Sequence, residues 1–433
     1  MYNPSLKWKT INAGFLWAYP TYNAGPTIVT KGRCQAQIQI VEIQMKGFKF
    51  NGIMAGIKKK DTLDFGIIFS ERPAAAAALF TQNRVVAAPV ILGRERIKSG
   101  LCQAIVVNSG NANCFTGKQG LEDANKTAAL AARALNIAPE LVMVSSTGVI
   151  GAPLPMETIE QSIPDLVQTM DPDKIISFAT AILTTDTLVK MATRECRVKG
   201  GSFTITGVAK GSGMIKPDMA TMLSFVMTDL DISSLLLQSC LKKACDRSFN
   251  RICVDGDTST NDTVVALANG LSHTVLEDSD DSFEFQRCLD EVLLELSRMI
   301  VKDGEGATKL VKIQVEGAVT GEDALKIAET IAQSNLVKTA IYGQDPNWGR
   351  IVAAAGRSGA AINTQSLNLR FGDVFLVRDG VWQGKEAELE AAKVMQESEI
   401  EIVLDLKMGE ARDWYLFCDF SEEYVKINAD YRS

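Results

Sequence analysis

Lys210-Gly211-Ser212-Gly213-Met214-Ile215-Lys216-Pro217-Asp218-Met219-Ala220-Thr221-Met222-Leu223 sets two glycines and a proline ahead of a small residue, a threonine and an apolar run that continues through Phe225 and Val226. A threonine hydroxyl is a weak nucleophile unless a base stands beside it. Cutting the chain before the threonine supplies that base, because its own freed α-amine can take the hydroxyl proton. A strained turn feeding a buried strand suits such a cut, since backbone distortion at the scissile bond helps drive an N-to-O acyl shift. Spacing alone more often means a glycine-rich turn leading into a core strand.

The chain has 433 residues, enough to bury a sizeable core and to hold two or more structural units. Charged residues make up 22% and hydrophobic ones 46%, ordinary proportions for a soluble globular protein. The net charge is −7, and no long basic run occurs beyond Lys58-Lys59-Lys60. That argues against nucleic acid or an anionic membrane as the main partner. Nine cysteines, an odd number with no Cys-x-x-Cys pair, fit reduced thiols better than a disulfide framework.

Apolar stretches such as Pro73-Ala74-Ala75-Ala76-Ala77-Ala78-Leu79-Phe80 are too short to cross a bilayer. Met1 to Trp8 lacks the charged start and apolar core of a signal peptide, so the cytoplasm is the expected compartment. Residues 1–44 are either a true extension or lie upstream of a start at Met45. Asp255-Gly256-Asp257 and Asp345-Pro346-Asn347 lack the ligand spacing of a calcium loop or zinc site, so no metal is expected.

Short apolar runs at Phe65 to Phe69, Ala88 to Leu92, Ala104 to Val107 and Leu141 to Val144 read as buried strands. Leu367 to Val377, Ile400 to Leu406 and Trp414 to Phe417 read the same way. Helical spacing marks Leu121 to Leu135, Asp323 to Leu336 and, most strongly, Phe285 to Ile300, with Leu289, Val292, Leu293, Leu296 and Ile300 on one stripe. Strand and helix runs interleave without strict βαβ alternation, which favours α+β layers over a Rossmann sheet.

Several further blocks follow one another along the chain. They are Gly56-Ile57-Lys58-Lys59, Asn108-Ser109-Gly110-Asn111-Ala112-Asn113, Ser145-Ser146-Thr147-Gly148-Val149-Ile150-Gly151 and Thr184-Thr185-Asp186-Thr187. After the opening stretch come Asp303-Gly304-Glu305-Gly306-Ala307-Thr308-Lys309, Asp345-Pro346-Asn347-Trp348-Gly349-Arg350 and Asn428-Ala429-Asp430-Tyr431-Arg432-Ser433. In this order they resemble the ornithine acetyltransferases, or bifunctional glutamate N-acetyltransferases, of arginine biosynthesis, and the resemblance runs from about Met45 to the last residue.

It implies an α/β/β/α-type layered sandwich of the α+β class and self-cleavage between Ala220 and Thr221. The chain would then divide into residues 1–44, an α segment 45–220 and a β segment 221–433. Thr221 would be the nucleophile, carrying acetyl from N²-acetylornithine to glutamate by ping-pong chemistry, with Thr147 and Gly148 as the oxyanion hole. Thr187, Lys210, Thr221, Glu305, Asn428 and Ser433 match the family's substrate-binding positions. Lys210 offers a cation for a carboxylate and Glu305 an anion for an ammonium group. No cofactor is implied, though acetyl-CoA could serve as a substrate. The partners implied are the amino-acid substrates and the cut chains themselves, assembled as an α/β heterotetramer.

The chain departs from the family pattern at Lys216 and Asp218, where that pattern has His and Asn. Cleavage should survive, since Pro217, Ala220 and Thr221 remain. An amine base also suits a chain with one histidine, His273, which reads as a surface or turn residue with no Gly-x-Ser-x-Gly elbow beside it. Asn108 and Asn111 read as a structural turn, with a place near the site as the alternative. Two alternatives stay open: an amidohydrolase or aminopeptidase using the same threonine with water as acceptor, and a binding protein that never cleaves.

Overall fold

The computed structural model describes residues 45–58, 61–216 and 222–430. The first sheet contains β1 (Phe48–Ile53), β2 (Phe65–Phe80), β3 (Leu101–Asn111), β4 (Val142–Val149), β5 (Lys190–Val198), β6 (Gly201–Lys210) and β7 (Leu223–Thr228). After β8 (Ile252–Cys253) leaves for the second sheet, β9 (Thr263–Ala268) returns to the first. The order is β4-β3-β2-β9-β7-β6-β5, with β1 paired to β2. A register shift between Phe69 and Ala74 lets the long β2 pair with β3 along its first part and with β9 along its last.

The second sheet adds β10 (Leu310–Ala318), β11 (Asn368–Phe371), β12 (Val374–Arg378), β13 (Val381–Trp382), β14 (Glu399–Asp405) and β15 (Ala411–Cys418). Its order is β13-β12-β11-β14-β10-β15-β8.

Helices α1 (Ala88–Arg96), α2 (Gly117–Leu135) and α3 (Met156–Gln168) pack on Phe65, Ile67, Val106 and Val144 of the first sheet. The short α4 (Ile175–Ala181) joins a separate core with Ile68, Val107 and Phe225. Its Phe178 meets Phe225 edge-on, with ring centroids 5.6 Å apart.

Two helices reach both sheets. The apolar stripe read at Phe285 to Ile300 belongs to α6 (Ser279–Lys302), whose start is capped by the Asp278 carboxylate. With α5 (Ser234–Asp246) it shares one core with Ile205, Val226 and Val264 of the first sheet and with Leu310 and Leu416 of the second. Alternation along β10 then sends Val311, Ile313 and Val315 to another core. There they meet α7 (Gly321–Ala332), α8 (Asn335–Tyr342), α9 (Trp348–Gly356) and Ala391 of α10 (Lys385–Val394). The result is the layered α+β arrangement expected from the sequence.

Three local expectations are corrected. Ala88 to Leu92 starts α1 rather than forming a strand, because Pro89 falls in the first helical turn, where its missing N–H costs nothing. Asp323 to Leu336 is broken between α7 and α8, where the Ser334 hydroxyl caps the new helix by accepting from the Val337 N–H. Leu367 to Val377 is the antiparallel pair β11 and β12 instead of one strand.

The segments on either side of the expected cut share one sheet. β6 precedes position 220, β7 follows it, and the two are hydrogen-bonded neighbours. Because α6 fills the core common to both sheets, Leu296→Ala should destabilise the protein by about 2–5 kcal/mol. Thermal unfolding should give a clearly lowered midpoint, and an unchanged one would remove α6 from that role.

Candidate active site

Lys210 closes β6 and pairs with Leu223, which opens β7; Leu223 pairs in turn with Thr263 of β9. Thr147 and Gly148 lie at the end of β4. The Lys210 Nζ donates to the Thr184 Oγ1 at 2.8 Å and to the Thr147 Oγ1 at 3.4 Å, joining β6 to β4 through side chains. Asn108 and Asn111 sit in the buried end of β3 rather than in a turn. Asn108 accepts from the Ser146 hydroxyl at 2.6 Å, and Asn111 donates to the carbonyls of Ala152 and Pro153. Together they hold the chain on both sides of Thr147-Gly148.

Gly148 has no substitute there. Its φ is +132°, and a Cβ would lie 2.3 Å from the Gly110 carbonyl carbon and 2.6 Å from the Asn111 nitrogen. Backbone against backbone cannot yield, so only glycine lets β3 and β4 approach this closely.

Behind Lys210 lies a chain of buried charges. Lys190 donates to Asp186 at 2.7 Å and to Asp303 at 2.5 Å, and the three side chains are 1%, 0% and 3% exposed. Asp186 also accepts from the Gly211 N–H at 2.6 Å and the Thr184 N–H at 3.1 Å, with the Lys210 ammonium 3.8 Å away. Burial works against the Asp186 charge, but Lys190 and Lys210 overcome it and hold the carboxyl well below its usual range. Asp303, the residue that ends α6, takes the Thr187 N–H and hydroxyl and the Leu188 N–H.

The network continues to the last helix. The Ser212 hydroxyl donates to the Asp303 carbonyl at 2.6 Å, and the Glu305 N–H to the Ser212 carbonyl at 3.0 Å. The Glu305 carboxylate accepts from the Asn428 amide at 2.8 Å, which brings α11 (Glu422–Ala429) against it. Gly213 makes room for this, since a Cβ there would lie 2.3 Å from a Glu305 carboxylate oxygen. Asp255 accepts the Met214 and Ile215 N–H groups and the Tyr424 hydroxyl, anchoring the loop that leads toward the expected cut. Burial pushes the Asp255 carboxyl up, against the pull of its backbone donors.

Thr147, Thr187, Lys210, Glu305 and Asn428 are thus joined by hydrogen bonds into one assembly, and Gly148 adjoins it. Ala220, Thr221 and Ser433 lie outside the described residues, as do residues 1–44. His273 is exposed in a turn with φ +59°. Lys216 faces Glu329 of α7 at 3.6 Å. No role was read from sequence for Asp186, Lys190, Asp303, Asn261 and Asp262. The first and third stand inside quoted blocks, which was the available signal. Among the described residues no three His, Cys, Asp or Glu side chains converge as metal ligands would, and no helix is long and apolar enough to cross a membrane.

Residues 49–433 match the model of the ArgJ family. The arginine biosynthesis bifunctional protein ArgJ of Geobacter sulfurreducens is 49% identical over 393 residues, covering 90% of this chain and all of that protein. The glutamate N-acetyltransferase of Methanocaldococcus jannaschii is 48% identical over 397 residues, covering 89% of this chain and 97% of that one. A crystal structure of the Bacillus halodurans ArgJ protein aligns at 40% identity with a TM-score of 0.47, over 48% of this chain and 99% of that chain.

Lys190→Met should strand two buried carboxylates and cost about 3–5 kcal/mol, whereas Lys210→Met leaves Asp186 its closer partner and should cost much less. Melting temperatures of the two variants decide this, and equal losses would contradict the network. Since the Asp186 carboxyl is depressed in the fold, its stabilisation should be complete above about pH 4 and fade as pH falls below that.

Proposed function

This chain belongs to the ArgJ family, and from that premise we propose that it transfers an acetyl group from N²-acetylornithine to L-glutamate through an acetyl-Thr221 enzyme. The observation that carries the assignment to this site is the single network linking Thr147, Thr187, Lys210, Glu305 and Asn428. Self-cleavage comes first. The Thr221 hydroxyl attacks the Ala220 carbonyl carbon, the peptide C–N bond gives way to an ester and frees the α-amine, and water then hydrolyses the ester, releasing residues 1–220 as an acid and restoring the Thr221 hydroxyl.

That amine then takes the hydroxyl proton as the Thr221 oxygen attacks the acetyl carbon of acetylornithine. The oxyanion meets the Thr147 hydroxyl and the Gly148 N–H. A Thr147 oxygen that accepts from Lys210 keeps its own proton free to donate, which supports this role. As the amide C–N bond breaks, the proton passes to the departing ornithine nitrogen. The glutamate amine next attacks the acetyl ester, N-acetylglutamate leaves, and the Thr221 oxygen regains its proton. Glu305 and Lys210 supply opposite charges for substrates that carry both an ammonium and a carboxylate group.

Nucleophile, base and oxyanion donors all belong to the chain, so the reaction needs no cofactor; acetyl-CoA would enter only as a second acetyl donor. The cut pieces stay together because β6 and β2 of the first pair with β7 and β9 of the second. Two such pairs would make the α/β heterotetramer, working in the cytoplasm.

Purified protein should run as two fragments on a denaturing gel, with threonine at the new terminus, and Thr221→Ala should stay whole and inactive. An active enzyme that remains uncut would sink the amine-base mechanism. Thr147→Ala should lower kcat by roughly 10²–10³ while leaving cleaved protein folded. Steady-state rates with acetylornithine and glutamate measure this, and a negligible change would take Thr147 out of the oxyanion hole.

A further inference from the structure

We propose that Asn261 and Asp262 are positioning residues that set the distance between the nucleophile-bearing strand and the oxyanion strand. The Asn261 amide donates to the Ser146 carbonyl at 2.8 Å and to the Ala112 carbonyl at 2.6 Å. The first of these belongs to the peptide that leads directly into Thr147. The next residue, Asp262, accepts the Met222 N–H on its carboxyl group. That N–H belongs to the peptide joining Thr221 to Met222. Thr263 completes the grip by donating its N–H to the Met222 carbonyl at 3.0 Å. Three consecutive residues therefore hold the backbone beside the proposed nucleophile and the backbone beside its proposed oxyanion donor.

The clamp is itself anchored. Asn261 and Asp262 are 6% and 3% exposed. The Asn261 Oδ1 accepts from the Thr260 hydroxyl at 2.6 Å, and the Asp262 carbonyl accepts the Thr81 N–H at 3.0 Å. Lys210 is the nearby charge. Burial pushes the Asp262 carboxyl up, and asparagine matches its shape while removing the charge. The amide keeps an oxygen for the Met222 N–H, whereas alanine leaves that donor buried and unpaired. A nucleophile displaced by about 1 Å from its partners can lose about 10² in rate without losing substrate binding.

The inference rests on the Thr221 and Thr147 roles proposed above, and the experiment separates the two. Wild type, Asp262→Asn, Asp262→Ala and Asn261→Ala are compared for melting temperature, time course of cleavage, kcat and KM. Asp262→Ala and Asn261→Ala should slow cleavage and lower kcat of the cut, folded protein about 10–10²-fold, with KM within about twofold. Asp262→Asn should recover most of both. Wild-type protein that is not cut at Thr221 would overturn the underlying mechanism. Wild-type cleavage accompanied by unaltered kcat in Asp262→Ala would overturn the clamp alone, as would equal losses in the Ala and Asn variants. If Asp262→Ala does not fold, Asn261→Ala and Asp262→Asn carry the comparison.

Discussion

The Lys190 ammonium lies between Asp186 and Asp303, and all three side chains are withdrawn from water. Charges so placed lose their hydration, and their attraction compensates only when contacts are short and the remaining hydrogen-bonding sites are filled. The groups that fill them come from the site itself. Gly211 and Thr184 serve Asp186, while Thr187 and Leu188 serve Asp303. Neutralising the buried charges and assembling the site are therefore one requirement. The loop after β6, the Thr184 segment and the end of α6 cannot part without exposing an unpaired ion to a low-dielectric interior.

Core packing delivers one of these charges. The apolar stripe of α6 is pinned between the two sheets through Val292, Leu296 and Ile300, and its last turn runs directly into Asp303 and Glu305. A helix placed by its apolar face thus fixes where an acid meets Lys190 and where another meets Asn428. Sheet pairing acts in the same way on the other side. With β7 between β6 and β9, its first residue, Leu223, is set against Lys210 on one side and Thr263 on the other.

The features legible in the sequence were those with a local cause. Helical spacing from Phe285 to Ile300 identified α6, and alternating or continuous apolar runs identified β3, β4 and β14. Ala88 to Leu92 misled because five small or apolar residues look alike in a strand and in a helix, and Pro89 decided for the helix only through its place in the first turn. The site blocks were found by resemblance, and the structure connects five of their residues that are scattered along the chain.

The chain order by itself determined most of the elements, the block carrying Thr221, and the residue types available for acyl transfer. It could not say that Lys190 would be neutralised by Asp303, 113 residues away, or that Asn261 would reach Ser146, 115 residues back. Propensity and periodicity act over a few residues, because they arise from backbone geometry and side-chain spacing within one element. A buried charge or amide instead takes whichever partner the packed sheets and α6 bring within hydrogen-bonding distance. Only the tertiary structure decided those partners.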